Sequence, residues 1–74
     1  MGTWINVFKV RRHGTTEWKL IKPCFGIYGL YADLDALDDM PDSIFEIAET
    51  EKILDLGGRV NIGHYEVRKE RLFI

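Results

Sequence analysis

The chain has one cysteine, Cys24, one serine, Ser43, two prolines, and no run of more than ten uncharged residues among its 74. A lone thiol excludes an internal disulfide and fits a reducing compartment. The longest uncharged run, Pro23–Ala32, is broken by glycines and falls well short of the roughly 20 apolar residues of a membrane span. Met1-Gly-Thr-Trp-Ile has neither the charged nor the apolar region of a signal peptide. Asn6 stands where a myristoylation pattern wants Ser or Thr. A soluble, cytoplasmic protein is expected.

Catalytic and cofactor signatures are also missing. Cys24, His13 and His64 lack paired-ligand spacing. Asp33-x-Asp35 resembles the start of a calcium loop, but Asp38 occupies the required glycine position and Ile44 the acidic twelfth. Gly26-x-x-Gly29 is too little for a phosphate loop. Ser43 is better explained as a helix cap, and Cys24 as a buried or half-buried structural cysteine. No metal, no cofactor and no enzymatic activity are expected.

Positive charge is absent from one long stretch. No Lys or Arg lies between Lys22 and Lys52, whereas Asp33, Asp35, Asp38, Asp39, Asp42, Glu46, Glu49 and Glu51 all do. The formal net charge of −2 therefore hides a segment of eight acids without a base beside a remainder of ten bases and four acids. Such segregation predicts an oriented field more than a strong monopole.

Seventy-four residues make one domain, 1–74. Its core is small, because a chain of this size buries only about 60% of its unfolded surface. Thr3–Arg11 and Thr15–Lys22 are rich in aromatic and β-branched residues and read as a hairpin. With Arg12-His13-Gly14 as a three-residue loop, Phe8 faces Trp18, Ile5 faces Ile21 and Lys9 faces Glu17. Pro23 ends the second strand, and Gly26 and Gly29 suggest a loop or irregular strand. Asp33–Met40 reads as a short helix stopped by Pro41.

Ser43-x-x-Glu46 has capping-box spacing, and Gly57-Gly58 is a helix stop, so Ile44–Leu56 reads as a second helix. Its apolar residues wind around more than one face, which leaves a strand from 44 to 50 as the alternative. Arg59–Arg68 alternates around Val60 and Ile62, with a bulge at Gly63. Arg68-Lys69-Glu70 reads as a turn and Arg71–Ile74 as a short last strand. The order is ββααββ, an α+β fold with one or two short acidic helices on one face of a small antiparallel sheet.

Three functions fit this pattern. In the first, the acidic stretch docks on a basic protein partner, a nuclease or other nucleic-acid-binding protein. Tyr28 and Tyr31 then supply apolar contact, and Asp35, Asp38, Asp39, Asp42, Glu46 and Glu49 supply charge. Were 33–51 one helix of about 28 Å, its charges would average one per about 3.5 Å, near the ~3.4 Å phosphate spacing of a DNA strand. Size, charge segregation and the lack of catalytic apparatus resemble, in type, small inhibitor proteins. Phage-encoded blockers of bacterial nuclease defence and toxin-neutralising immunity proteins are of that kind.

In the second, the aromatic hairpin binds single-stranded nucleic acid through Lys9, Arg11, Arg12, Lys19 and Lys22. The hairpin register opposes this by placing Phe8 and Trp18 on the apolar Val10/Leu20 face, and the net negative charge disfavours direct nucleic-acid binding. In the third, the chain is a small subunit of a larger assembly, or a homodimer, with Leu72-Phe73-Ile74 adding a strand to a neighbour.

Overall fold

The computed structural model describes residues 2–74. It is a four-stranded antiparallel sheet with two α-helices on one face. The strands are β1 (Trp4–Arg12), β2 (Lys19–Ile21), β3 (Arg59–Ile62) and β4 (Tyr65–Phe73). The helices are α1 (Gly26–Asp33) and α2 (Ile44–Asp55), joined through a 3-10 turn, Leu37–Asp39. The α+β class and the order ββααββ agree with the sequence reading. The sheet order is β2-β1-β4-β3, so the two long strands near the chain ends lie side by side at its centre.

Side chains alternate across a strand, and the two faces differ sharply. Phe8, Val10, Ile62 and Val67 point to the helices, where Ile27, Leu30, Tyr31 and Leu34 from the α1 region and Ile47 and Leu54 from α2 close over them. Val10 lies opposite Val67, which lies opposite Val60, so the core crosses three strands at one level. The spacing 27, 30, 31, 34 is one face of a helix.

The first hairpin is present in a different register. Phe8 pairs with Ile21 and Val10 with Lys19. Six residues, 13–18, separate the strands, because β1 stays paired with β4 as far as the bond from the His13 N–H to the His64 carbonyl, 2.9 Å. A register offset by an odd number of residues exchanges the faces. Trp18 and Leu20 therefore lie on the open face and not with Phe8 and Val10.

The first helix lies N-terminal to its expected place. Residues 26–33, expected as loop or irregular strand, are helical, while Asp33–Met40 supplies only a helix end and the 3-10 turn. Gly29 is tolerated because Pro23 packs against it, 3.2 Å from where a Cβ would lie. The second helix agrees closely with expectation, and the alternative strand over 44–50 is excluded. Ser43 Oγ accepts from the Phe45 N–H at 3.1 Å. Arg68-Lys69-Glu70, expected as a turn, continues β4 as strand. The reversal is the two-residue loop Gly63-His64, with Gly63 at φ 59, as a type II′ turn requires at its first central position.

Both helices end in the same reciprocal pattern. After α2, the Gly57 N–H donates to the Leu54 carbonyl and the Gly58 N–H to that of Ile53. After α1, the Asp35 N–H donates to Ala32 and the Ala36 N–H to Tyr31. These are Schellman motifs, whose pivot residue adopts left-handed geometry. Gly57 does so at φ 86, but after α1 the pivot is Asp35, at φ 54. An L-residue with a Cβ costs energy there, and an acid beside exposed helix carbonyls opposes the macrodipole. Asp35→Gly is therefore expected to raise stability by about 1 kcal/mol. Gly63→Ala should lower it by about 1–2 kcal/mol, since its Cβ would also meet that of Ala36 at 3.0 Å. Urea denaturation followed by circular dichroism measures both.

Candidate partner-binding surface

Charge is divided by layer. The helical segment, residues 23–58, holds nine acids and one base, whereas the strands and their loops hold nine bases and three acids. Asp33, Asp35, Asp38, Asp39, Asp42, Glu46 and Glu49 are all exposed, and Glu51 is half-buried. Among the described residues none of these eight takes part in an ion pair; the acids that do are Asp55, Glu66 and Glu70. The eight do not form one helical ladder. They are distributed over the end of α1, the 3-10 turn and the first half of α2, so the even phosphate-like spacing expected of a single helix is not realised.

Large apolar side chains of the same segment are also exposed, among them Phe25 (80%), Tyr28 (49%), Leu37 (58%), Ile44 (77%) and Phe45 (83%). Phe45, Ile53 and Leu56 follow i, i+8, i+11 spacing and share the solvent side of α2, opposite the buried Ile47 and Leu54. That second stripe is why the apolar residues of α2 wind around the helix. Of the two tyrosines expected at an interface, Tyr28 is exposed but Tyr31, at 4%, is core. Burial raises the Tyr31 phenol pKa and the Asp39 carboxylate adds to this, while a hydrogen bond with Thr50 acts the other way. Tyr31 therefore belongs to the core cluster that α1 shares with Ile47 and Leu54 of α2. Leu37, Ile44 and Phe45 were missed as surface residues because isolated apolar residues read as core. Ile44 and Phe45, on the two positions after the Ser43 cap, were the available signal.

The basic residues do not form one groove. By strand alternation Lys9 and Arg11 lie on the open face, while Arg12 and Lys19 line a cleft of about 200 Å³ on the other side with Val10, Thr15, Glu17 and Tyr65. Lys22 is exposed beyond β2. Lys9 is engaged by Glu70 at 3.1 Å and Arg11 by Glu66 at 2.9 Å. Trp18 is surrounded by cations already, with guanidinium carbons of Arg68, Arg59 and Arg11 at 4.6, 5.4 and 5.6 Å from its ring centre. The open face is thus a cross-strand grid, in which Glu66 bridges Arg11 and Arg59 and Glu70 bridges Lys9 and Arg68. Its indole is occupied by the protein's own arginines and is not a free stacking platform.

Cys24 is exposed, contrary to its expected structural role. Among the described residues no group of three His, Cys, Asp or Glu could hold a metal ion, and no helix is long and apolar enough to cross a membrane. Compared with protein-family models, curated proteins and solved structures, the chain has no match.

The grid has a pH signature. Hydrogen bonds from Arg11 first, then Arg59, hold the Glu66 pKa below its ordinary value. A carboxyl whose folded pKa is depressed contributes stability above its unfolded pKa and loses it as pH falls through the folded one. Glu66→Gln should therefore destabilise the domain at pH 7. The gap between variant and wild type should close as pH falls from the ordinary carboxylate range to below the depressed Glu66 value. Parallel denaturation curves across that range test this; a gap independent of pH would contradict it.

Proposed function

We propose that the chain is a non-enzymatic protein-binding module, a small inhibitor that docks its acidic helical layer on a basic, nucleic-acid-binding surface of a larger partner. One observation carries this reading: eight acids without ion pairs among the described residues share the helical layer with seven exposed large apolar side chains. Desolvated aromatic anchors supply most of the affinity at an interface, and surrounding charge supplies steering and orientation. Here Tyr28, Phe25, Ile44 and Phe45 are the anchors, and Asp35, Asp38, Asp39, Asp42, Glu46 and Glu49 are the steering rim. Phage anti-defence and immunity-type inhibitors are the functional type that this combination fits.

The geometry gives less support to a nucleic-acid-binding sheet. Lys9 and Arg11 are tied to glutamates, and Trp18 is covered by guanidinium groups. Arg11→Ala with Arg12→Ala is the discriminating variant. Under that second reading it lowers oligonucleotide affinity and flattens its salt dependence.

The experiment begins with capture of binding proteins and nucleic acids from native lysate at low and high salt, followed by kinetics on the purified partner. Changing Asp35, Asp38 and Asp39 together to Asn is expected to slow association severalfold at low salt and to leave folding nearly intact. Phe45→Ala should chiefly speed dissociation, by tenfold or more, as expected for an anchor worth about 2 kcal/mol. An affinity unchanged by the triple variant at low salt removes the charge argument, since screening is weakest there.

A further inference from the structure

The central β1–β4 ribbon is longer than the strands flanking it. β1 pairs with β4 from Trp4 to Arg12, but β2 covers only Phe8–Val10 of its outer edge. Likewise β3 pairs only with Tyr65–Arg68 of β4. A two-stranded end therefore projects past both edge strands.

The direction of its free backbone groups follows from the hydrogen-bond alternation. Thr3 and Ile74 exchange N–H to carbonyl bonds at 2.6 and 2.8 Å. Odd-numbered residues of β1 thus turn their backbone groups toward β4, and Trp4 and Asn6 turn theirs outward. Among the described residues those outward groups have no backbone partner. Their chemistry calls for an added extended strand.

The two free edges differ in protection. On β4 the outward-facing positions include Lys69 and Arg71, and charges of this kind discourage pairing. The β1 edge, Gly2-Thr-Trp-Ile-Asn-Val7, carries no charge. Trp4 is 57% exposed and meets Phe73, itself 60% exposed, edge to face at 5.0 Å.

We propose that two copies of this chain associate by antiparallel pairing of the free β1 edge with itself, about a two-fold axis through Trp4. This register sets Trp4 opposite the second copy's Trp4 and Gly2 opposite its Asn6, so every outward-facing residue meets another. It leaves the existing Phe8–Ile21 pair undisturbed. A register centred on Ile5 would instead bring the second copy's Gly2 to Phe8, a place β2 already fills. Two-fold pairing of the β4 edge about Arg71 would set like charges directly opposite, which is unfavourable. In the Trp4-centred dimer the two four-stranded sheets become continuous, and the Trp4–Phe73 pairs of both copies form one aromatic cluster. The two-fold axis runs perpendicular to the sheet, so both acidic helical layers face the same side.

Sedimentation velocity on the full chain, from micromolar to millimolar concentration, tests this. The expected result is a reversible rise from the mass of one chain to that of two. Asn6→Pro removes an outward N–H, and Trp4→Lys places a charge at the two-fold. Each should weaken dimerisation at least tenfold while circular dichroism stays that of the wild type. Proline is tolerated where the N–H faces solvent; if Asn6→Pro nevertheless unfolds, Trp4→Lys at its exposed site decides. A single-chain mass at every concentration overturns the proposal, as does a dimer that survives Trp4→Lys. Neither result bears on the acidic layer, whose test is partner kinetics.

Discussion

The pairing of β1 with β4 is the constraint on which the other elements depend. It joins strands near opposite ends of the chain, and its most buried pair, Val10 against Val67, is almost wholly excluded from solvent. β2 and β3 are short additions to its flanks, and everything from Pro23 to Gly58 is a connection across one face. Such a pairing closes a loop of about fifty residues, whose entropy must be offset by contacts made at one time. This explains the crowding of the core at the level of Val10, Val60 and Val67, where three strands and both helices converge. It also explains why the ribbon protrudes: its length is set by β1 and β4 alone, and the covering elements reach only part of it.

A one-sided cover leaves the other sheet face without a hydrophobic partner. The chain uses charge there, alternating cations and glutamates across strands and placing Trp18 among three arginines. Individually such exposed pairs contribute little; as a connected grid they fix the rotamers of long side chains over the sheet. The consequence for the helical layer is direct. With nine of the ten bases committed to the sheet and its loops, the helical acids have almost nothing nearby to pair with. Asp33 and Asp35 lie at the carbonyl end of α1, where negative charge is unfavourable, and Asp35 holds a left-handed conformation that glycine takes more easily. An acidic coat needed only for solubility has no use for those two positions. Backbone strain of this kind clusters at functional sites.

Local signals were legible where local physics decides the structure. Ser43 and Gly57 bracket α2 by capping chemistry, and the β-branched and aromatic runs mark the strands. The misplaced features have non-local causes. Register in the first hairpin was argued from its own side-chain pairs, but β4 competes for β1 through His13 and sets where the chain turns. The run Arg68-Lys69-Glu70 is strand because each charge finds a partner on another part of the chain: the Trp18 ring for Arg68, Lys9 for Glu70, Asp55 for Lys69. α1 was obscured by Gly26 and Gly29, although Ile27, Leu30, Tyr31 and Leu34 repeat with helical spacing. On the candidate surface the acids and Tyr28 were legible. Tyr31 was not, because tyrosine belongs equally to cores and interfaces, and only the packing of Thr50 and Asp39 around it decides.

Two sets of exposed apolar residues differ in their chemistry. Phe25, Tyr28, Leu37, Ile44 and Phe45 stand on the helical layer, whose eight acids form no ion pair among the described residues, and display side chains alone, since helical backbone groups are largely satisfied internally. Trp4 and Phe73 stand on the ribbon beside unpaired backbone groups, with no acid at the β1 edge. The first set is suited to recognition by pockets ringed with positive charge, the second to an added strand. The acidic layer is poorly suited to pair with its own copy, because two such layers repel each other. The ribbon edge is free of that conflict. A dimer formed there carries two acidic layers on one side and offers a partner with repeated basic sites two attachments in place of one, so the second binds at a high effective concentration.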